Sequence, residues 1–227
     1  MKVVLFGASM LAELAHFYLT HDSDFTVVAH TVDGEYVDGS TLGGLPVVPF
    51  EEVQQAYAPS DHRMLVAIGA HRNNRVRASK CEEARSKGYE LISYVCSKAS
   101  AWPGLHVGPN TFIDQGSMIH PLVRIGSNVV VISAQIGHQS NLGDHCYIDA
   151  ATLGGGVRVG EYAFIGMNAT IREHVSVGRS CIIGAGATVL RDTKDDEVFR
   201  IRGTQPARAP SQRVRIMPDP KKPKRGP

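Results

Sequence analysis

The sequence predicts two structural units, an α/β domain over residues 1–100 and a parallel β-helix over 101–200, followed by a C-terminal extension over 201–227. Three observations carry this. The chain opens on a strand, a glycine turn, a helix and a second strand, the unit from which parallel α/β sheets are built. Beyond Trp102, aliphatic residues return at every sixth position, a period that suits neither a helix nor an alternating strand. At 227 residues the chain is long enough to bury two modest cores.

In chain order, "KVVLF" at 2–6 reads as a buried strand and "GAS" at 7–9 as the turn after it. Residues 10–20 place Leu11, Leu14, Ala15 and Tyr18 at helical spacing, and "FTVVAHTVD" reads as a second strand ending at Asp33. "LPVV" at 45–48 is extended, and "PFEEVQQAY" starts with Pro49 and carries acids in its first turn, as a helix N-terminus does. "HRMLVAIG" at 62–69 is a further strand. Residues 73–88 form an amphipathic helix closed by Gly88, and "YELISYV" at 89–95 is a last strand of this half.

The second half places aliphatics at Val107, Ile113, Ile119, Ile125 and Val131, at Ile136, Leu142 and Ile148, and at Leu153, Val159, Ile165, Ile171, Val177, Ile183 and Val189. The step is six within each block and five between blocks. A six-residue repeat is one short strand and one turn, and three repeats close a triangular coil with the aliphatics pointing into the stack. Fifteen such positions give about five coils. Glycine often follows the aliphatic (108, 126, 137, 143, 160, 166, 178, 184), which predicts a positive φ at those corners. After Val189 the rhythm ends, and the tail is expected to lay one short strand or an extended segment back on the stack.

Bulk composition narrows the function classes. Lys plus Arg number 24 against 22 Asp plus Glu, and much of the excess lies in "KKPKRGP" at the end, so the body is near neutral and a broad nucleic-acid surface is not expected. The tail itself reads as a solvated segment. Four cysteines without a C-x-x-C pair suggest neither a disulfide framework nor a zinc ribbon. With no signal-peptide pattern and no apolar run of spanning length, the expectation is a cytoplasmic protein that binds neither membrane nor nucleic acid.

The stretch "SAQIGHQSNLGDHCYIDA", 133–150, sets His138 and His145 between the two five-residue steps. They are candidates for a general base with a helper, for metal ligands together with His120, or for polar residues on an outer face. Acyl transfer from a thioester needs a proton acceptor of near-neutral pKa and an N–H donor for the oxyanion, which His138 and a turn backbone can supply. Gly7-Ala8-Ser9 is not a full G-x-G-x-x-G, so the turn is a poor dinucleotide fingerprint.

The hexapeptide rhythm resembles the left-handed β-helix acyltransferases, and the Rossmann-like α/β domain ahead of it resembles the sialic-acid O-acetyltransferase type family, which includes N-acetyltransferases of nucleotide-linked amino-deoxy sugars. The resemblance covers about residues 1–208, and "IGHQSNLGDHCYI" is its most specific part. It implies a homotrimer, acetyl-CoA or another acyl-CoA as co-substrate in a groove between β-helices, no metal, and a nucleotide-linked sugar held by the first domain. It also implies His138 as general base; the second histidine that some members place nine residues later falls on Tyr147 here, which leaves His145, seven residues on, as either a helper or an interface histidine. Many members carry an acid directly after the base, where this chain has Gln139. By the same resemblance Gly7, Ser9, Asp33, His71 and Arg75 contact the sugar nucleotide. Gly166, Met167, Asn168, Gly184, Ala185, Pro206 and Arg208 line the CoA groove. The alternatives are a sugar O-acyltransferase, a zinc enzyme of the γ-carbonic-anhydrase type, and a non-catalytic nucleotide-sugar-binding protein.

Overall fold

A computed structural model describes residues 1–39, 41–206, 208 and 211–213; the basic run at 221–225 lies outside them. The first half is a five-stranded sheet built from β1 (Lys2–Phe6), β2 (Thr26–Val32), β3 (Thr41–Leu42), β4 (Leu45–Pro49) and β5 (His62–Val66). Their order is β3-β4-β2-β1-β5, parallel except for the short β3–β4 pair. Alternation along β1 sends Val3 and Leu5 to one face and Val4 and Phe6 to the other. Helix α1 (Met10–His21) covers the first face through Ala12, Ala15, Tyr18 and Leu19, so its buried stripe sits one residue round from the predicted one, with Leu11 and Leu14 only partly buried. The short α2 (Val53–Ala56) and α3 (Arg75–Ser86) cover the second face through Val53, Cys81 and Ala84.

The second half is a parallel β-helix with three flat faces. Face A holds six strands (Ser100–Ala101, Met118–Ile119, Gln135–Ile136, Thr152–Leu153, Thr170–Ile171, Thr188–Val189) and face B five (His106–Val107, Arg124–Ile125, Asn141–Leu142, Arg158–Val159, Ser176–Val177). Face C holds seven (Tyr94–Val95, Phe112–Ile113, Val130–Ile132, Tyr147–Asp149, Phe164–Ile165, Ile182–Ile183, Val198–Phe199). The repeated aliphatics form one continuous axial core, with only Val107 at its rim partly buried. Burying each such side chain contributes about 1.5–3 kcal/mol relative to exposure.

The stack starts earlier than the rhythm suggests. Of "YELISYV", Leu91 bridges to Met64 beside β5, whereas Tyr94–Val95 pairs with Phe112–Ile113 in face C. At the other end Val198–Phe199 pairs with Ile182–Ile183, the short returning strand expected of the tail. Both five-residue steps fall on the corner between faces C and A, where Ser133 and Ala150 turn the chain at φ 49° and 44° after three-residue strands.

The corner glycines correct the expectation of positive φ. None of the eight glycines that follow the aliphatics lies in that region; it is occupied two residues later, by Asn110, Asn128, Gln139, His145, Tyr162, Asn168, Ser180 and Gly186. Glycine is required instead by the approach of the next coil. A Cβ on Gly137 would lie 2.5 Å from the Gly154 carbonyl carbon, and one on Gly160 would lie 2.6 Å from the Arg179 nitrogen.

The two halves meet along face C and the corner between faces B and C. Tyr18 packs with Tyr94 and Phe112 across the junction. Asn110 on that corner accepts from Val66 N–H (2.7 Å) and donates to Val66 C=O (3.1 Å), closing the end of β5.

Candidate functional site

The first candidate region lies at the C-terminal ends of β1 and β2, where open parallel sheets hold ligands. Gly7 turns the chain at φ 131°, and a Cβ there would lie 2.7 Å from the Ala67 carbonyl oxygen. Ser9 takes the N-cap position of α1 in extended conformation, and its carbonyl accepts from Glu13 N–H. A cavity of about 350 Å³ opens here, lined by Gly7, Ala8, Ser9, Val32, Asp33, Tyr36, Ile68, His71, Val76 and Lys80. Four of the five predicted sugar-nucleotide residues, Gly7, Ser9, Asp33 and His71, therefore share one cleft.

Arg75, the fifth, lies elsewhere: its guanidinium donates to Ser180 Oγ (3.1 Å) and sits 4.6 Å from the Tyr162 ring centroid, on the corner between faces B and C. The cation in the cleft is Lys80, whose Nζ is 2.7 Å from Asp33 Oδ1 and 2.7 Å from Glu83 Oε2. Burial opposes its charge, but the two carboxylates outweigh that and raise its pKa. Its position one helical turn after Val76 is the only local hint to it. Beneath the turn, buried His30 donates from Nδ1 to Gly7 C=O (3.0 Å) and its Nε2 accepts from His16 Nδ1 (3.0 Å), so the cleft floor rests on a neutral histidine pair. Burial lowers the pKa of both.

The loop 72–74 beside the cleft is left-handed at three successive residues, Arg72, Asn73 and Asn74 (φ 48°, 50° and 67°). Such conformations cost about 1–2 kcal/mol each outside glycine, less for Asn. They are held by the β-helix: Asn73 donates to Ser180 C=O and Asn74 to Tyr162 C=O. Arg77 completes this clamp. Fully buried, with its pKa lowered to about 10 by desolvation, it makes seven hydrogen bonds of 3.0–3.2 Å: to Ile68 C=O, Gly69 C=O, Asn74 Oδ1, Asn128 Oδ1, and the carbonyls of Asn128, His145 and Cys146. None of these acceptors is a carboxylate. Nothing in the sequence around Arg77 distinguishes it from a surface arginine.

The second region is the corner between faces A and B. His138 stands there, exposed, with Pro121 at the equivalent place one coil before and Gly155 one coil after. A Cβ on Gly155 would lie 2.7 Å from both Cε1 and Nε2 of His138, so the run Gly154-Gly155-Gly156 leaves the space the imidazole occupies. His138 Nδ1 is 3.2 Å from Gln139 Oε1. His120, on the same corner one coil earlier, has a buried Nε2 with no partner among the described residues.

His145 does not join this group. The structure places it at the corner between faces B and C, at φ 64° in a turn. Its ring stacks on Tyr162 with centroids 4.5 Å apart, and its Nδ1 accepts from Asn128 Nδ2 (2.8 Å). Neutral His145 thus carries its hydrogen on Nε2 and has its lone pair engaged; burial lowers its pKa. Among the described residues no group of three or more His, Cys, Asp or Glu is placed to hold a metal ion.

The residues expected at the CoA groove do converge. Gly166-Met167-Asn168 and Gly184-Ala185 occupy adjacent coils on the corner between faces C and A, joined by Gly166 N–H to Ile183 C=O and Gly186 N–H to Met167 C=O. Pro206 and Arg208 are exposed past the last strand, and Ala207 between them lies outside the described residues. The outer column of face A, Met118, Gln135, Thr152, Thr170 and Thr188, runs between this corner and the His138 corner. No helix among the described residues is long and apolar enough to cross a membrane.

Residues 156–191 match the bacterial transferase hexapeptide (six repeats) family. Among solved structures, a histidine-to-asparagine mutant of perosamine N-acetyltransferase from Caulobacter crescentus, in complex with CoA and GDP-perosamine, is 27% identical with a TM-score of 0.78, covering 87% of this chain and 92% of that one. The acetyltransferase domain of PglB from Neisseria gonorrhoeae, with acetyl coenzyme A, shares the fold at 23% identity and TM-score 0.75, over 87% and 94% of the two chains. Among curated relatives, bifunctional protein GlmU of Methylococcus capsulatus is 32% identical over 134 residues, 51% of this chain. The chain spans about 27–30% of the length of the GlmU relatives it matches. These likenesses bear out the resemblance to left-handed β-helix sugar acyltransferases and a hexapeptide-repeat fold with parallel sheets.

Proposed function

We propose that this chain is an acyl-CoA-dependent N-acyltransferase that moves an acetyl group to the amine of a nucleotide-linked amino-deoxy sugar, with His138 as general base. The observation that carries the proposal is the exposed imidazole at the A–B corner, seated over Gly155 on a fold that matches a perosamine N-acetyltransferase over nearly its whole length. Its domains are a Rossmann-like nucleotide-sugar-binding unit over 1–100, a β-helix over 101–200 and an extension over 201–227.

In the reaction the unprotonated amine attacks the thioester carbonyl carbon, forming the C–N bond. The tetrahedral intermediate collapses with breakage of the C–S bond, and CoA leaves as thiolate. The proton lost by nitrogen passes to His138 Nε2 and on to the departing sulfur, so the base is regenerated. The Gly7 turn, Ser9 and Lys80 hold the phosphates, and Asp33 addresses the base. Acyl-CoA occupies the groove formed by Gly166–Asn168 and Gly184–Ala185, with Pro206 and Arg208 at its mouth.

The cleft and His138 lie on opposite sides of the triangle. The first half covers face C and the B–C corner, whereas His138 stands at the A–B vertex across from face C. The family resemblance supports a cytoplasmic homotrimer as the working unit, in which a sugar nucleotide in the cleft reaches the His138 of another copy and each groove is closed by its neighbour.

Thiol release from acetyl-CoA, measured against GDP-, UDP- and dTDP-linked 3- and 4-amino-deoxy sugars, tests this. Turnover on one sugar that falls about 10²- to 10⁴-fold in His138→Ala is the expected result. No release with any amino sugar, or unchanged turnover in the variant, overturns it.

A further inference from the structure

We infer that Gln139 is the positioning residue of the His138 base: its neutral side-chain carbonyl holds the imidazole in the tautomer that carries hydrogen on Nδ1 and leaves Nε2 free to accept a proton. The inference rests on the transferase reading above and adds to it a role for a residue next to the base.

The geometry isolates the pair. His138 is flanked one coil before by Pro121, which has neither a polar side chain nor an N–H, and one coil after by Gly155, which has no side chain. Gln139 Oε1, 3.2 Å from His138 Nδ1, is the ring's hydrogen-bond partner among the described residues. The backbone makes this contact by turning left-handed at Gln139 (φ 58°), a conformation pinned by donation of Gln139 N–H to Pro121 C=O (3.1 Å). A carbonyl can only accept, so the ring nitrogen facing it must donate. The second nitrogen, on the edge lying over Gly155, then keeps its lone pair.

An amide differs from a carboxylate in one testable respect. It orients the ring without adding a negative charge, whereas a carboxylate in the same place would favour the imidazolium. An amine acceptor, already nucleophilic once deprotonated, makes smaller demands on base strength than a hydroxyl.

The test uses the full chain, with kcat, KM and the pH profile of kcat/KM measured for Gln139→Leu and Gln139→Glu beside His138→Ala. Leucine is compatible with the backbone, because Leu122 holds the equivalent place one coil earlier at φ 65°. Gln139→Leu is expected to lower kcat about tenfold with little change in either KM. Gln139→Glu is expected to retain kcat and to move the acid limb of the profile up by about one pH unit, since a carboxylate beside the ring favours its charged form. Wild-type kcat in Gln139→Leu, or an unshifted acid limb in Gln139→Glu, overturns the inference while His138→Ala remains inactive. Full activity in His138→Ala instead overturns the transferase reading itself.

Discussion

Two corners of the same coil, seven residues apart, each carry a histidine, and the fold gives them opposite fates. His138 sits where neighbouring coils offer proline and glycine, so its ring is exposed and one nitrogen is free. His145 sits where neighbouring coils offer Asn128 and Tyr162 and where α3 covers the corner, so its ring is stacked and its lone pair is bonded. A histidine in a hexapeptide corner is thus a reagent or a building part according to what lies one coil away and what docks on top. The position in the repeat does not decide it.

The largest effect that sharpens this contrast is at Arg77, which ties the covered corner to the cleft loop. Arg77→Met removes the donor from the buried Asn128 carbonyl and from the part-buried carbonyls of Ile68, Gly69 and His145, while the Cys146 carbonyl keeps only Val130 N–H. Each orphan costs about 1–3 kcal/mol before relaxation, so a loss of at least about 3 kcal/mol in urea unfolding is expected. A loss below about 1 kcal/mol would show that water or repacking replaces the clamp.

At the open corner the expected change is in catalysis rather than stability. Gly155 lies outside the left-handed region, so Gly155→Ala is tolerated by the backbone, but its Cβ meets the His138 ring at 2.7 Å and displaces it. A fall in kcat of about tenfold or more, at a melting temperature near that of wild type, is the predicted signature. Equal activity would mean that the ring has a second productive position.

The smallest effect probes the covered histidine. His145→Asn suits the left-handed turn and keeps a polar group, but loses the Tyr162 stack, at a cost of about 1 kcal/mol with kcat preserved. The same variant sharpens the pH dependence. His16, His30 and His145 all have folded-state pKa values lowered from 6.5, chiefly by burial. Each is neutral in both states above 6.5, and below it the unfolded chain binds the proton more readily. Stability is therefore full above 6.5 and declines as pH falls from there toward the lowered folded values. His145→Asn should show a shallower decline than wild type between pH 6.5 and 5, and identical slopes would place the whole effect on the His16–His30 pair beneath Gly7.

Much of this was legible in the chain. β1 matches its apolar run at Lys2–Phe6 residue for residue, because a short buried strand is bounded by its own glycine turn. The turn at Gly7–Ser9 and the strand end at Asp33 were readable because strand ends are local features, whereas their assignment to a sugar nucleotide came from the family resemblance alone. The left-handed corners were misassigned to the glycines after the aliphatics, since sequence cannot separate a glycine kept for its φ from one kept because another coil passes 2.5 Å away. Lys80 was missed, and Arg75 assigned to the cleft, because the choice among cations on one helix depends on which way the helix is turned when it docks.

By itself the sequence determined the period of the coil, the strand–turn–helix opening and the presence of His138 at a corner, all of which follow from spacings of a few residues. The tertiary structure decided which histidine remains free. Arg77 meets His145 across 68 positions and Lys80 meets Asp33 across 47, and no local pattern encodes such contacts. The first arises only where the β-helix is pressed against the α/β half and the second only where α3 docks on its own sheet, because burying polar groups at such junctions is tolerated only where each finds a partner.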